Sequence, residues 1–571
     1  MSRSLEARPY TGWQLLKAYW YSDQRFMAFL LLSIVLLMSM SLVGLDVLFT
    51  TWYNYFYDAL QEYNKRGVYD LMIIFVFIAA VYIVLAVYRY YLQQFLALRW
   101  RRWLTAQFLD RWLQKKSYYY LENFDDHTDN PDQRIQEDIL SLVTSSLTLT
   151  IGLLSSVVTF FAFIYILWKL SGSIHFSIKG HEFNIRGYLV WVSVIYAAIG
   201  TYLTFKIGRP LVSLNFEQQR REANFRFGAI DLRSHAENVA LYRGEEHQKT
   251  ILERIFSGVL DNWYAIILRQ KLLLWFTAGY NQISVLVPLV VALPNYFNKV
   301  FKLGGLIQTL AAFQRIQDAL SFIVNSYTMI AEWQAVMRRL LTFLNHMYEV
   351  ERDAVVKNKF FYSKNSQNKI TVSDLVVNTP QGDNLLKNLN EEFFHGQNYL
   401  IRGASGIGKS TFVRALAGIW PYGAGEIDLP SNKKIFFLPQ KSYMPLGTLK
   451  EALLFPDHIL PIADTLLIKL LNDCDLPHLA NQLDHVTHWS EHLSPGELQR
   501  IAFVRVLIHQ PDWVVLDEST SALDLKHEQQ LYELLKKKLP DCSLISVGHR
   551  PSLEAYHENK IDLEKYSPAS A

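Results

Sequence analysis

Apolar residues follow two regimes along this chain. In the first 330 positions they gather into long runs: Phe26 to Val47, Leu71 to Tyr91, Thr148 to Trp168, Tyr188 to Ile207, Leu272 to Leu293 and Leu306 to Ile330. Each approaches the roughly 20 helical residues that cross a bilayer. The sixth is interrupted by Gln308, Gln314, Arg315, Gln317, Asp318 and Asn325, and a buried helix outside the membrane is its competing reading. Gln308, Arg315, Asp318 and Asn325 recur along one helical face, and polar groups inside a span mark a pathway, so these four are candidates to line a cavity. An ion pair between Arg315 and Asp318 is the plainer alternative. Asp46, ending the first run, is expected at the outer interface.

Past Asn368 short β-rich runs alternate with helical stretches, the pattern of an α/β domain. The expected organisation is a membrane all-α domain over residues 1–348, a polar linker over 349–368 and an α/β domain over 369–571. Long polar stretches after the second and fourth runs have few Gly or Pro, which predicts helices projecting beyond the bilayer.

Composition and charge narrow the class. Half of the 571 residues are hydrophobic and 19% are charged, too apolar for a wholly soluble chain and too polar for a wholly embedded one. A formal net charge of +3 argues against nucleic acid as a partner. Lys and Arg concentrate before the first run (Arg3, Arg8, Lys17, Arg25) and after the second and fourth, while the other connections carry few. The positive-inside rule then puts both termini in the cytoplasm. The first run is as long as a full span and has no small-residue cleavage site after it, so it is expected to stay as an anchor. The two cysteines, Cys474 and Cys542, have no metal or redox spacing and read as reduced thiols.

The strongest local motif is Gly403-Ala404-Ser405-Gly406-Ile407-Gly408-Lys409-Ser410, followed by Thr411. It matches G-x-x-x-x-G-K-[ST] after an apolar strand-like run, so backbone N–H groups would cradle the phosphates of ATP. Lys409 would reach the β- and γ-phosphates and Ser410 would bind Mg²⁺. Trp513 to Glu518 is an apolar strand ending in two acids. Asp517 suits the Mg²⁺ sphere and Glu518 suits polarising the attacking water. Between them Leu493-Ser-Pro-Gly-Glu497 starts a helix: Ser494 as N-cap, Pro495 in the first turn, Glu497 closing a capping box. Gly496 permits close approach to this second phosphate-binding helix end. Two such ends in one domain suggest that two copies sandwich the nucleotide.

The P-loop, Gln440 after an apolar strand, the Leu-Ser-Pro-Gly-Glu motif, Asp517-Glu518, Ser521-Ala-Leu-Asp524 and His549 together resemble the ABC ATPase order. The resemblance implies Gln440 as the Q-loop glutamine that links the γ-phosphate to the membrane domain and joins Ser410 and Asp517 at Mg²⁺, Asp524 in the D-loop and His549 as the switch contacting the γ-phosphate. It also implies that Ser494, Gly496 and Glu497 complete the site of a partner protomer, so a homodimer is expected. Two departures stand out: Pro495 replaces the common Gly, and Asn378 and Thr379 stand where many members stack adenine on an aromatic ring.

Asp129-Asn-Pro-Asp-Gln-Arg-Ile135 and Glu237-Asn-Val-Ala-Leu-Tyr-Arg-Gly-Glu245 resemble segments of the SbmA/BacA-related fused bacterial transporters and the peroxisomal D-subfamily half-transporters. Caps and turns on ordinary helices are the plainer reading of both. The resemblance implies a six-helix exporter-type (type IV) membrane domain in the bacterial inner membrane, surrounded by lipid. It implies ATP-driven movement of a bulky hydrophilic solute such as cobalamin or a peptide. Fatty acid or acyl-CoA transport is the alternative within the class. An ATP-gated membrane scaffold or sensor is the alternative outside it.

Overall fold

The computed structural model describes residues 10–124, 130–171, 173–178, 181–457 and 460–568. Arg3, Arg8 and Asp129 lie outside the described residues. The chain divides into two compact units, Met1–Gln114 with His127–Tyr348, and Lys115–Asp126 with Glu349–Ala571.

The first unit is helical. A short α1 (Gly12–Trp20) leads into α2 (Arg25–Gln61) and α3 (Lys65–Leu113), and α4 (Ser117–Phe124) belongs to the second unit. The chain returns through α5 (Pro131–Gln133) and a π turn, Arg134–Asp138, to α6 (Ile139–Ser171). An antiparallel hairpin, β1 (Ser173–Ile178) with β2 (His181–Arg186), precedes α7 (Tyr188–Ser234), α8 (Ala236–Tyr242) and α9 (Glu245–Phe297). Last come α10 (Leu303–Leu320), α11 (Phe322–Asn325) and α12 (Tyr327–Lys357).

Among the described residues, five helices are long and apolar enough to cross a membrane: Arg25–Gln61, Lys65–Asn123, Pro131–Ser171, Tyr188–Ser234 and Glu245–Phe297. The 53 residues of α9 extend about 80 Å at 1.5 Å per residue, far beyond a hydrocarbon core of about 30 Å. The projecting helices read from the sequence are therefore continuous with the spans. Where α6, α7 and α10 meet, Phe163, Leu167, Leu189, Ala312, Phe313 and Ile316 form a closed apolar cluster.

The sixth apolar run departs from a simple span. It is broken into α10, α11 and the start of α12, with non-helical backbone at Ser321 and Ser326. The break carries a buried polar knot: Gln317 Nε2 donates to Tyr280 OH and, at 3.0 Å, to Ser321 Oγ. Tyr280 stacks on Tyr196 with ring centroids 4.4 Å apart. Part of the polarity that weakens the run as a span is thus satisfied inside the helix bundle.

In the second unit a five-stranded parallel sheet runs β13-β6-β12-β11-β8 and a four-stranded sheet runs β3-β7-β4-β5. The second of these comprises β3 (Asn358–Asn365), β4 (Lys369–Asn378), β5 (Asn384–Phe394) and β7 (Gly423–Pro430). The parallel sheet comprises β6 (Tyr399–Arg402), β8 (Ile435–Leu438), β11 (Trp513–Asp517), β12 (Ser543–Val547) and β13 (Asn559–Asp562). Helices α13 (Lys409–Leu416), α14 (Leu449–Leu454), α15 (Asp464–Asp473), α16 (Trp489–His492), α17 (Pro495–His509) and α18 (Leu525–Lys538) accompany them. A two-residue pair, β9 (Gly447–Thr448) with β10 (Val486–Thr487), completes the unit. Trp513 to Leu516 of β11 form an unbroken apolar run and all five residues of β12 are buried, two of them serines, because both faces of the parallel sheet are covered.

The expected linker 349–368 is a correction. Its first residues finish α12 and the next eight form β3, paired along its length with β7. Within β3 Phe360 is buried and its neighbour Phe361 exposed, the opposite-face placement of successive strand residues. The unit also includes α4, where Lys116 Nζ donates to Gly418 O at 3.0 Å and Ser117 Oγ to Glu351 Oε1 at 3.0 Å.

Candidate functional site

Parallel pairing levels the strand ends. Val547 of β12 lies opposite Ile401 of β6 and Asp517 of β11, and Leu516 lies opposite Leu438 of β8. Every motif that follows one of these strands therefore emerges at one edge: the P-loop after β6, Gln440 after β8, Asp517-Glu518 at the end of β11 and His549 after β12. Carboxyl ends of parallel strands are where open α/β sheets bind ligands.

The P-loop curls through Gly403, Gly406 and Gly408, at φ 146°, 83° and 106°, conformations open to glycine at little cost. Gly408 is the N-cap of α13, so the loop delivers its backbone N–H groups to a helix N-terminus. Lys409 Nζ donates to the carbonyls of Gly403 and Ala404, both at 3.0 Å, so its ammonium lies across the mouth of the loop. Burial lowers the Lys409 pKa, opposed by the Glu518 and Asp517 carboxylates.

Ser410 Oγ donates to Asp517 Oδ1 at 2.9 Å, which joins the two residues expected at Mg²⁺. Burial holds the Asp517 carboxyl above its usual range, opposed by the Ser410 hydrogen bond. A hydroxyl and a carboxylate beside a phosphate cradle form a hard oxygen set that fits Mg²⁺, which takes one or two protein oxygens and completes its shell with phosphate and water.

Glu518 receives Gln440 Nε2 on one carboxylate oxygen at 3.0 Å and faces His549 Nε2 from the other at 3.7 Å. Its backbone is left-handed, φ 48°, and its N–H is held by Val547 O at 3.1 Å. Lys409, Ser410, Gln440, Asp517, Glu518 and His549 are thus gathered into one site.

Ser494, Gly496 and Glu497 form a separate group. Ser494 caps α17 and the box with Glu497 is closed in both directions, with Pro495 in the first turn, as the sequence predicts. Asp524 caps α18, its carboxylate accepting the His527 N–H at 2.8 Å.

Three functional neighbours carry no motif of their own. Gln499, buried in α17, donates to Gln440 O at 3.4 Å and Ser521 Oγ at 3.2 Å and accepts from Ala522 N at 2.9 Å. Arg550 donates to Leu523 O and Ser521 O at 2.7 and 2.8 Å, and the fully buried Glu528 accepts from Thr520 Oγ1 at 2.8 Å. These side chains fix the Ser521–Asp524 loop largely through its backbone, which residue spacing does not reveal. Where an adenine-stacking ring is missing, Asn378 is held by backbone: its N–H donates to Tyr422 O at 3.0 Å and its carbonyl accepts the Trp420 indole at 2.9 Å.

In the first unit the four cavity candidates separate. Gln308 is buried and accepts from Asn54 of α2 at 2.5 Å, so it belongs to a helix contact. Arg315 pairs with Asp46 at 2.7 Å in place of the anticipated Asp318, and the Asp46 side chain is largely buried in that pair instead of facing outward. Asp318 and Asn325 stay exposed on the unit, Asp318 accepting from Gln314 at 2.8 Å. The Arg315 and Asp318 environments differ because a seven-residue spacing drifts only slightly around the helix, whereas a three-residue spacing shifts by about 60°. The Glu237 to Glu245 segment forms α8 and a reversal at Arg243, φ 53°, whose following Gly244 N–H donates to Val239 O at 2.9 Å.

Comparisons with known proteins agree with this geometry. The family model of ABC transporter transmembrane region 2 matches residues 15–297, and that of the ABC transporter matches residues 386–521. An uncharacterized ABC transporter ATP-binding protein of Haemophilus influenzae is 35% identical over 94% of this chain and 89% of its own. The inner membrane ABC transporter ATP-binding protein YddA of Escherichia coli is 34% identical over 94% of each. ABC transporter D family member 2, chloroplastic, of Arabidopsis thaliana is 29% identical over 97% of this chain and 85% of its own. The structure of a bacterial Atm1-family ABC exporter with ATP bound superimposes with a TM-score of 0.72 at 17% identity, covering 95% of this chain and 94% of that one.

Proposed function

The chain belongs to the ABC transporter family, and from that premise we propose that it moves a bulky hydrophilic solute, such as cobalamin or a peptide, across the membrane. Its fold is the exporter-type helical membrane domain followed by an α/β ATPase domain, and ATP hydrolysis with Mg²⁺ drives transport. Half-transporters of this kind generally work as dimers. A homodimer in a bacterial inner membrane with both termini cytoplasmic is our reading for this one.

In the proposed mechanism the P-loop amides from Gly403 to Thr411 and the Lys409 ammonium hold the ATP phosphates in line for attack. Ser410, Asp517 and Gln440 would hold Mg²⁺, which neutralises charge on the phosphate oxygens when bound. Glu518 orients a water and takes its proton as the oxygen attacks the γ-phosphorus, while the bond from that phosphorus to the β,γ-bridging oxygen breaks and ADP leaves with inorganic phosphate. Gln440 and His549, one on each carboxylate oxygen, keep that acceptor aimed. Ser494, Gly496 and Glu497, with Asp524, serve the site of the partner protomer.

The cargo reading is carried by the polar face of α10 and α11. Asp318 and Asn325 stay exposed on the broken sixth segment, where polar groups would be costly against lipid and fit a water-filled path better. The relative from the D family favours a second reading, a fatty acid or acyl-CoA, through the resemblance to that subfamily. Labelled cobalamin, a basic peptide and an acyl-CoA, each offered to inverted and right-side-out vesicles with and without ATP, separate the readings. ATP-dependent movement of cobalamin or peptide is expected. Movement of acyl-CoA alone would move the assignment to lipid-derived cargo, and turnover with no movement of any would favour an ATP-gated scaffold.

A further inference from the structure

The first unit holds a cavity of about 370 Å³ between the π turn, α7 and α12. Its wall includes Arg134, Arg220, Arg338 and Arg339, and there is no carboxylate among its described lining residues. Phe216 and Phe343 supply an apolar flank.

Two of the arginines, Arg134 and Arg339, share a single buried counter-charge, while Arg220 pairs at the exposed rim with Glu217 at 3.1 Å. Asp138 accepts Arg339 through Nε at 2.9 Å and Nη2 at 2.6 Å, and Arg134 through Nη1 at 3.2 Å. One carboxylate against two guanidinium groups leaves a positive charge in excess where desolvation makes it costly. Arg339 is only 10% exposed, and its remaining nitrogen, Nη1, has no hydrogen-bond partner among the described residues. A buried donor left over in this way calls for an acceptor. The π turn that presents Arg134 and Asp138 is a rare helix form concentrated at functional sites.

The charge is local to this cavity. A neighbouring cavity of about 260 Å³ shares Gln133, Gln219 and Arg339 but is lined by Glu137, Glu222 and Glu332. A general basic surface would not reverse sign across one wall.

We propose that the arginine-lined cavity is a binding site for a phosphate-bearing ligand, with guanidinium forks as donors and the Phe216–Phe343 flank against a less polar part of the same molecule. Guanidinium groups match phosphate oxygens two at a time. Arg134 precedes the apolar run at Thr148, and Arg220 follows the run ending at Ile207, each by a stretch of helix about 20 Å long. That distance suits a dissolved phosphate compound better than a bilayer headgroup.

The test uses the full chain carrying Lys409→Ala, to weaken the P-loop, in phosphatidylcholine nanodiscs titrated with inorganic pyrophosphate by calorimetry. Adding Arg220→Gln and Arg338→Gln, both on exposed side chains, is expected to weaken pyrophosphate at least tenfold with an unchanged unfolding temperature. Arg338→Gln alone is expected to weaken it several-fold, and Glu332→Gln, in the acidic cavity, to leave it no weaker. Equal affinity in the parent and the Arg338→Gln protein overturns the proposal. Competition by phosphatidylglycerol in the nanodisc would identify a lipid phosphate as the source, and indifference to it a dissolved one.

Discussion

Glu518 combines an acid side chain with a left-handed backbone at φ 48°, which costs an ordinary residue about 1–3 kcal/mol and persists where surroundings enforce it. Its N–H bond to Val547 and the contacts from Gln440 and His549 are those surroundings. Glu518→Gln keeps the shape and the Gln440 contact but removes the proton acceptor. Steady-state ATP turnover is expected to fall by about 10² or more, the scale of a general base, while filter-binding affinity for ATP holds. Turnover near that of the parent would transfer the role to another group. The identity and position of Glu518 were legible in the sequence as an acid closing an apolar strand, and so were Lys409, Ser410 and Asp517. Its backbone strain was not, because nothing in residue type announces it. Gln499 and Arg550 were hidden for a related reason: they act on carbonyls and amides of the Ser521–Asp524 loop, which any sequence supplies.

Among the elements, hydropathy marks five spans clearly and blurs the sixth, since Gln308 and Gln317 are buried against polar partners on other helices, Asn54 and Tyr280. The packing of α10 on α2 also depends on Gly304. A Cβ there would lie 2.0 Å from the Asn54 carbonyl oxygen of α2, and the Gly304 N–H donates to Asp58 Oδ1 at 2.8 Å. Gly279 of α9 has nothing within 4 Å of where a methyl carbon would be added and serves as the control. Gly304→Ala should therefore lower stability by about 1–3 kcal/mol through overpacking against backbone, whereas Gly279→Ala should change it little. Thermal unfolding of both variants in detergent reads the contrast, and equal shifts would refute the close approach of α2 and α10. The β1–β2 hairpin and strand β3 were missed for different reasons. The hairpin sits in a connection whose alternation is short, and β3 is polar enough to resemble a linker until its pairing with β7 is known.

At the scale of the molecule, one chain carries two helix N-termini suited to phosphate, at Gly408 for α13 and at Ser494 for α17, held in separate groups of contacts. A two-fold dimer can use both if the α17 end of each protomer faces the P-loop of the other. That arrangement makes a sharp prediction for mixed protomers. Lys409→Ala and Ser494→Arg should each abolish vanadate-dependent nucleotide trapping when expressed alone, because every composite site then contains a defect. In dimers that pair one of each, both defects fall in the same composite site and the other is built wholly from unaltered residues. Equal co-expression should restore trapping at about a quarter of all sites, since half the dimers are mixed and each has one intact site. A site completed within a single protomer would leave every chain with its own defect, and the mixture would then trap no more nucleotide than either variant alone.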